Sequence, residues 1–403
     1  MTNKLDKTSV YSNVSPQINT KNIKQFWNNR LWLICVVITI IGIFYTLVAA
    51  YFISRFAEKH PSKANLSPAV TILKPLHGAE PDLYINLSSF CDQDYTGSIQ
   101  IILGISNPLD PAIEIAKQIQ SQYRDRNICI VSDPTLHGPN HKISNVINMF
   151  KLRQHSLIIL SDSDIRVEKN YLNVIASAFA DDEVGVVSFY YSGTPVKGIW
   201  SQLTACHINH HFFPSALFGS TLGFENPCFG SSLALSDETL SRIGGFENFS
   251  SSLADDYAIG QKVIESGKKI IMPSVLLQHT CSEETFFDVF HHLLRWNRTI
   301  RSINPKGHFG SLITYPLPFA FFAFFLNEYS LLTFSIVLAT LACRMVIPLQ
   351  MAKKFQTQRP SMHLIVLTDL FSFIAYLMSY SSLAIKWRGK RIHVKSNGNI
   401  DTI

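Results

Sequence analysis

The chain has 403 residues, of which 47% are hydrophobic and only 16% charged, and it carries 28 Phe, 14 Tyr and 5 Trp. Soluble chains hold about 25% charged residues, so this composition excludes a disordered or fibrous protein and speaks against a wholly soluble one. Lys and Arg number 35 and Asp and Glu 29, a net charge of +6 that suits an anionic small substrate or an anionic lipid surface and makes no case for nucleic acid.

A polar tail, residues 1–30, precedes residues 31–53, a run of 23 residues without a charge. That length spans a hydrocarbon core of about 30 Å. The long polar preface, and the lack of a small-x-small site after the run, predict a retained anchor and not a cleaved leader. In residues 65–280 apolar strand-like runs alternate with helical patterns. Strands are expected at 69–73 (ended by Pro75), 99–105, 127–131, 156–160 and 184–190. Helices are expected at 81–90, 110–122, 143–150, 171–179 and 257–266. The alternation predicts an α/β domain with an open, mostly parallel sheet, whose ligands sit outside the C-terminal strand ends. Neither GxGxxG nor GxxxxGK[ST] occurs, which argues against dinucleotide and P-loop sites.

Residues 281–311 form a basic amphipathic interfacial segment, and residues 312–385 a C-terminal membrane region with three apolar runs. The run 312–326 holds Pro316 and Pro318 and reads as a span, a re-entrant piece or a buried core helix; 331–349 and 364–385 read as spans. A basic tail, 386–403, closes the chain. Basic residues flank these runs on several sides, so charge leaves the topology open. Seven scattered Cys without a CxxC pair predict reduced, mostly buried thiols and a central domain facing the cytoplasm.

Three constellations carry chemistry. Asp162 and Asp164 flank one residue directly after an apolar strand. Two carboxylates there suit Mg²⁺ or Mn²⁺ bridging a diphosphate, or else a solvated acidic turn. Asp255-Asp256 stands before a helical stretch, where one carboxylate caps the helix and the other is free to act as a general base. Residues 292–301 are basic, aromatic and helical in spacing, with Arg295 and Arg298 on one face. Arg295 suits a forked phosphate contact and Trp296 the lining of a cleft, while the whole helix also suits an anionic lipid surface.

The stretches LKPLHGAEPDLYINLSSFCDQDY (73–95), DPTLHGPNHKISNVINM (133–149), SDSDIRV (161–167), INHHFFPSALFG (208–219), PCFGSSLALSDETLSRIGGFE (227–247), ADDYAIG (254–260) and LLRWNRTIR (293–301) together resemble the ceramide glucosyltransferase-like GT-A glycosyltransferases of family 21 type. The closer likeness is to the bacterial hopanoid biosynthesis-associated glycosyltransferases. The resemblance implies a GT-A nucleotide-diphospho-sugar transferase domain with one N-terminal and two to three C-terminal transmembrane helices. It also implies a multi-pass protein of the bacterial inner membrane, its catalytic domain facing the cytoplasm. The implied reaction is inverting transfer from a UDP-sugar, UDP-N-acetylglucosamine, to a hopanoid hydroxyl. The alternatives are glucose transfer from UDP-glucose to ceramide, and a non-catalytic scaffold. Oligomeric state stays open.

By the same resemblance, Asp162 and Asp164 are the pair that holds Mg²⁺ or Mn²⁺ at the diphosphate. Asp256 is the catalytic base, with Asp255 beside it. Arg295 and Trp296 are the last two positions of a (Q/R)xxRW motif, whose first position is His292. Lys142 is a donor-phosphate contact, and Gly230 and Ser231 form the loop beside the donor sugar. Asn107 stands where the family usually has an Asp near the uracil.

Overall fold

The computed structural model describes residues 20–59, 66–327, 329–382, 384–387, 390–394 and 400–402. Of the tails expected from the sequence, residues 1–19, 388–389, 395–399 and 403 lie outside the described residues. The chain opens with one continuous helix, α1 (Thr20–Glu58), which extends the expected anchor at both ends. The alternating region then runs β1 (Val70–Leu76), α2 (Leu83–Cys91), β2 (Ile99–Ile105), α3 (Ala112–Gln122), β3 (Asn127–Ser132), α4 (His141–Phe150), β4 (Leu157–Ser161), β5 (Ile165–Arg166), α5 (Tyr171–Ala178), β6 (Val184–Ser188) and β7 (Tyr190–Pro195). Helices α6 (Gly198–His207) and α7 (Phe213–Thr221) follow, joined by a π-helical turn over Ile208–Phe212. Next come β8 (Ser232–Ser236), α8 (Asp237–Arg242), α9 (Asp255–Glu265), β9 (Lys269–Ile271), β10 (Leu276–Cys281) and α10 (Phe286–Ile303).

The main sheet has the order β3-β2-β1-β4-β8-β6-β9, and β8 runs antiparallel to both of its neighbours. A second sheet, β5-β10-β7, stands beside it. This is the mostly parallel α/β arrangement expected. Successive residues of the strands face opposite sides. Ile72, Ile101 and Ile159 enter one core with α2, while Leu73, Ile102 and Ile158 enter the other with α4 and α9.

Three boundaries differ from expectation. β1 passes through Pro75 to Leu76. β4 pairs only with Val70–Leu73, so the missing Pro75 N–H falls where β1 has one neighbour, β2, instead of two. The single strand expected over 184–190 is two, because the chain leaves the main sheet at Phe189 and β7 pairs with β10 in the second. Helix α9 starts at Asp255, two residues before the expected start, which puts both carboxylates in its first turn.

After α10 come α11 (Pro305–Gly310), α12 (Pro316–Leu326), α13 (Leu331–Arg344), α14 (Val346–Phe355) and α15 (Met362–Ser379). Among the described residues three helical stretches are long and apolar enough to cross a membrane: 28–58, 331–355 and 362–379. The run 312–326 belongs to a pair of helical pieces bent by 61° at Tyr315, which raises the number to four if the pair is one span. The last run ends earlier than expected: Ala384 and Ile385 lie in a strand, β11 (Ala384–Trp387), of a small antiparallel sheet with β12 (Lys390–Val394) and β13 (Ile400–Thr402). On α1, Leu31, Ile34, Ile41 and Phe44 are exposed, as a lipid-facing surface is. Its Tyr45, Ala49, Ile53 and Phe56 are buried in a cluster with Phe213 of α7 and Ile347 and Met351 of α14, which docks the α/β domain on the spans.

Candidate active site

Lys142 organises the site. Asn140 caps α4 by accepting the Ile143 N–H at 3.1 Å, and Lys142 leaves the first turn toward the C-terminal end of β4. Its Nζ lies 2.8 Å from Asp162 Oδ1 and 3.5 Å from Asp255 Oδ2. One ammonium therefore joins the two acidic motifs, 93 residues apart in sequence between Asp162 and Asp255. The carboxylates around it raise its pKa against the lowering effect of burial.

Asp162 is fixed through its backbone. Its N–H donates to the Ser231 carbonyl at 3.2 Å, and Ser161 Oγ donates to the same oxygen at 2.9 Å. The Lys74 ammonium, fully buried in β1, donates to the Asp162 carbonyl. Burial pulls the Lys74 pKa down to about 7 against the attraction of Asp162, Asp164 and Glu80. Asp164 pairs with His279 of β10, Nε2 to Oδ2 at 3.2 Å. Burial alone would raise the Asp164 pKa and lower that of His279; their ion pair reverses both, taking Asp164 to about 2 and His279 well above its usual value. Glu80 accepts the Ser163 hydroxyl at 2.6 Å, and burial with the charge of Asp164 raises its pKa to about 7.

Neither carboxylate of the Asp255-Asp256 pair is the N-cap of α9, a position held by Ala254 without a side-chain bond. The expected division into one cap and one free base is corrected accordingly. Asp255 is buried and accepts the Asn140 amide at 3.2 Å. Asp256 accepts the Gly230 N–H at 2.6 Å and the Tyr257 N–H at 2.8 Å. Burial and the neighbouring Asp255 raise the Asp256 pKa to about 6, against the pull of Lys142 and both N–H donors. Gly230 has to be small here, since a Cβ would stand 3.1 Å from Lys142 Nζ and 3.2 Å from Asp256 Oδ2.

A capping box between Thr285 and Asp288 starts α10, which carries the remaining candidates. Arg295 lies within electrostatic reach of Asp164, Asp162 and Glu283, and burial lowers its pKa. Trp296 packs against Phe212 and His207, with ring centroids 5.7 and 6.0 Å away. His292 stands edge-on to Trp296 at 4.3 Å, and its Nδ1 lies 2.5 Å from Glu283 Oε1.

The fold thus gathers Lys142, Asp162, Asp164, Gly230, Ser231, Asp255, Asp256 and Arg295 around the C-terminal end of β4, the central strand of the sheet. Asn107 stands apart: it is exposed on the turn after β2, where its side chain accepts the Leu109 N–H at 3.0 Å. Lys74, Glu80, His279 and Glu283 escaped the sequence reading. A lysine inside the apolar run VTILKPL was the one local signal among them.

Asp164 Oδ1 is buried without a hydrogen-bond partner, a hard oxygen of the kind Mg²⁺ and Mn²⁺ take. Among the described residues no group of three His, Cys, Asp or Glu forms a metal cage. The unpartnered Asp164 Oδ1, with Asp162 beside it held by Lys142, fits a divalent ion whose shell substrate phosphates would complete.

Known proteins bear on this geometry. Ceramide glucosyltransferase 1 of Caenorhabditis elegans is 23% identical over 264 residues, covering 65% of this chain and 56% of that protein. The ceramide glucosyltransferase of Komagataella phaffii is 28% identical over 165 residues, covering 38% of this chain and 32% of that protein. The chain thus spans about half the length, or less, of these curated relatives. Among solved structures, a mannosyltransferase from Pyrobaculum calidifontis in complex with GDP-Man and Mn²⁺ aligns with a TM-score of 0.49 at 17% identity, over 87% of this chain and 99% of that one. A glucosyl-3-phosphoglycerate synthase from Mycobacterium tuberculosis in complex with Mn²⁺, UDP-Glc and phosphoglyceric acid aligns with a TM-score of 0.38 at 13% identity, over 58% of this chain and 78% of that one. Residues 34–400 match the profile of glycosyl transferase family 21, and the chain belongs to that family.

Proposed function

We propose that the protein transfers a sugar, with inversion, from a UDP-sugar to a hydroxyl of a membrane lipid. The observation that carries this reading is the single ammonium of Lys142 between Asp162 and Asp255, which sets the pair we assign to the diphosphate beside the helix turn that carries Asp256, the base we assign. Asp256 takes the acceptor proton as the lipid oxygen attacks the anomeric carbon. Lys142 and Arg295 hold the negative charge that grows on the departing diphosphate. A divalent ion at Asp162 and Asp164 supplies further charge stabilisation when bound. Gly230 and Ser231 border the donor sugar and Trp296 lines the acceptor side, while Asn107, exposed apart from this group, is assigned to the uracil only by the family resemblance.

The curated relatives favour glucose and ceramide, each being named a ceramide glucosyltransferase, and none of those described links the chain to hopanoids. Ceramide with UDP-glucose is therefore the acceptor and donor pair we propose in place of hopanoid with UDP-N-acetylglucosamine. UDP-sugars are cytoplasmic, which places the α/β domain on that side of the membrane. The test is purified protein in detergent with radiolabelled UDP-glucose or UDP-N-acetylglucosamine and ceramide, diacylglycerol or a hopanoid. Labelled glucosylceramide is the expected product, a labelled hopanoid overturns the acceptor assignment, and no lipid product with any pair overturns the reaction. EDTA is expected to abolish transfer and Mg²⁺ or Mn²⁺ to restore it; full activity in chelator removes the metal from the proposal.

A further inference from the structure

Beyond Trp296, away from the carboxylates, a second polar cluster lies where the π-helical turn meets the membrane helices. Asp369 of α15 accepts from Arg344 of α13 at 2.8 Å (Nε to Oδ2) and 2.6 Å (Nη2 to Oδ1). His211 Nε2 of the turn lies 2.7 Å from Asp369 Oδ1 and 2.9 Å from Arg344 Nη2; it donates to the carboxylate in one tautomer and accepts from the guanidinium in the other. Arg344 and Asp369 are each 1% exposed. Charges at such depth inside membrane helices are costly and mark functional sites. The pair neutralises itself, so it leaves no net charge for a ligand to match.

The pairing also leaves atoms unused. Arg344 Nη1, His211 Nδ1, both ring nitrogens of His210 and the hydroxyl of Tyr45 are buried without a hydrogen-bond partner among the described residues. His210 and His211 are consecutive in the π-helical turn, Arg344 Nη2 lies 2.9 Å from His211 Nε2, and Tyr45 of α1 is within electrostatic range of Arg344. An unpaired buried polar atom costs about 1–3 kcal/mol, and several in one place call for a common partner. The chemistry of that partner follows from the atoms. Arg344 Nη1 only donates, and neutral His210 both donates and accepts. The partner must therefore offer donors and acceptors and carry no charge, as an amide with a hydroxyl does.

The cluster adjoins the active site. His211 stacks on His207 at 5.6 Å, and His207 packs against Trp296 at 6.0 Å. We propose that Tyr45, His210, His211 and Arg344 form a binding seat for the uncharged amide and hydroxyl group of a lipid, the acceptor of the reaction proposed above. This deepens that reading and rests on it for the identity of the lipid.

His210 makes a clean test because no hydrogen bond within the protein depends on it. The probe is NBD-ceramide, with NBD-diacylglycerol as the lipid that lacks the amide, titrated into the detergent-purified protein without donor. His210→Leu is expected to weaken NBD-ceramide binding about tenfold or more. The same variant should keep or raise Tm, keep UDP binding, and leave the weaker diacylglycerol binding unchanged. Equal ceramide affinity in parent and variant, with Tm raised, means that water fills the seat and overturns the proposal. A parent that binds both lipids equally overturns the amide assignment. Binding is read apart from turnover, so ceramide binding that depends on His210 in a protein that glycosylates no lipid would sink the transferase reading and leave the seat standing. Unchanged ceramide affinity in a variant that still makes glucosylceramide would do the reverse.

Discussion

Asp256 combines a raised pKa of about 6 with two backbone donors that hold its carboxylate in place. A general base must be ionised, so the rate is expected to fall as pH drops through about 6. Asp256→Asn is expected to cut kcat by roughly 10²–10⁴ with UDP-sugar affinity near the parent value. Asp255→Asn should cost less, because Asp255 is occupied by Asn140 and Lys142. Steady-state rates of the two variants decide, and a near-normal rate for Asp256→Asn moves the base elsewhere. The stability sign is the reverse of that for a salt-bridged carboxylate. A pKa raised in the folded state means that ionisation opposes folding, in full above about pH 6 and not at all below the ordinary value near 3.8. The Tm of Asp256→Asn relative to the parent should therefore rise between pH 4 and pH 7, a trend that thermal melts read directly.

His292 calls for a different argument. Its Nδ1 is engaged by Glu283, its ring is edge-on to Trp296, and its Nε2 is buried without a partner. The contacts present are thus with the motif's own tryptophan and a carboxylate; with Nδ1–H given to Glu283, Nε2 donates to a diphosphate oxygen only when the ring is protonated, a form that burial opposes. His292→Gln keeps a donor and should retain much of the activity. His292→Ala should lose about tenfold or more, the effect of one hydrogen bond to a charged group. Equal kinetics for parent and Ala variant would show that the position only fills space.

At the scale of elements, the alternation of strands and helices was legible because each apolar run is short and bounded by turn residues. Three things were not. Pro75 reads as a strand end only if both neighbours continue, and β4 stops first. The run 184–190, VGVVSFY, holds no Pro, Asn or Asp, so no turn residue of those types marks the passage from one sheet to the other at Phe189. The antiparallel placement of β8 depends on pairing with β4 and β6, which no local pattern contains. The acidic motifs and Arg295 were legible by type and position, whereas Lys74, Glu80 and His279 reach the site only through the fold. Asn140 shows the coupling of element and site. It caps α4 and also donates to the Ser252 carbonyl at 2.8 Å and to Asp255. Asn140→Ala loses a cap and two bonds, about 1–2 kcal/mol. That predicts a Tm lowered by roughly 2–8 °C in thermal melts, together with a lower kcat as α9 loses its tie to α4. An unchanged Tm would show that the cap is dispensable.

At the scale of the whole molecule, the packing informs the topology that charge in the sequence left open. Lys354 at the end of α14 lies 3.2 Å from Glu58 at the end of α1. The loop that begins there, with Lys353, Lys354 and Arg359, therefore shares the domain side of the spans with Arg55 and Lys59. Lys21, Lys24 and Arg30 belong to the opposite end of α1. Basic residues stand at both ends of the anchor, so the positive-inside rule alone does not choose, and the orientation we propose rests on the cytoplasmic origin of the proposed donor. Lys117 on α3 tests that choice well. It lies outside the active-site group, its side chain is 61% exposed, and its one ion pair, to Glu114, is a surface pair of little energetic weight. In a Lys117→Cys variant, a membrane-impermeant maleimide should add label over the background of the native free cysteines in inverted membrane vesicles and not in intact cells. The extra label appearing in intact cells would put the α/β domain outside, where cytoplasmic UDP-sugars do not reach it, and the proposed donor would have to be given up.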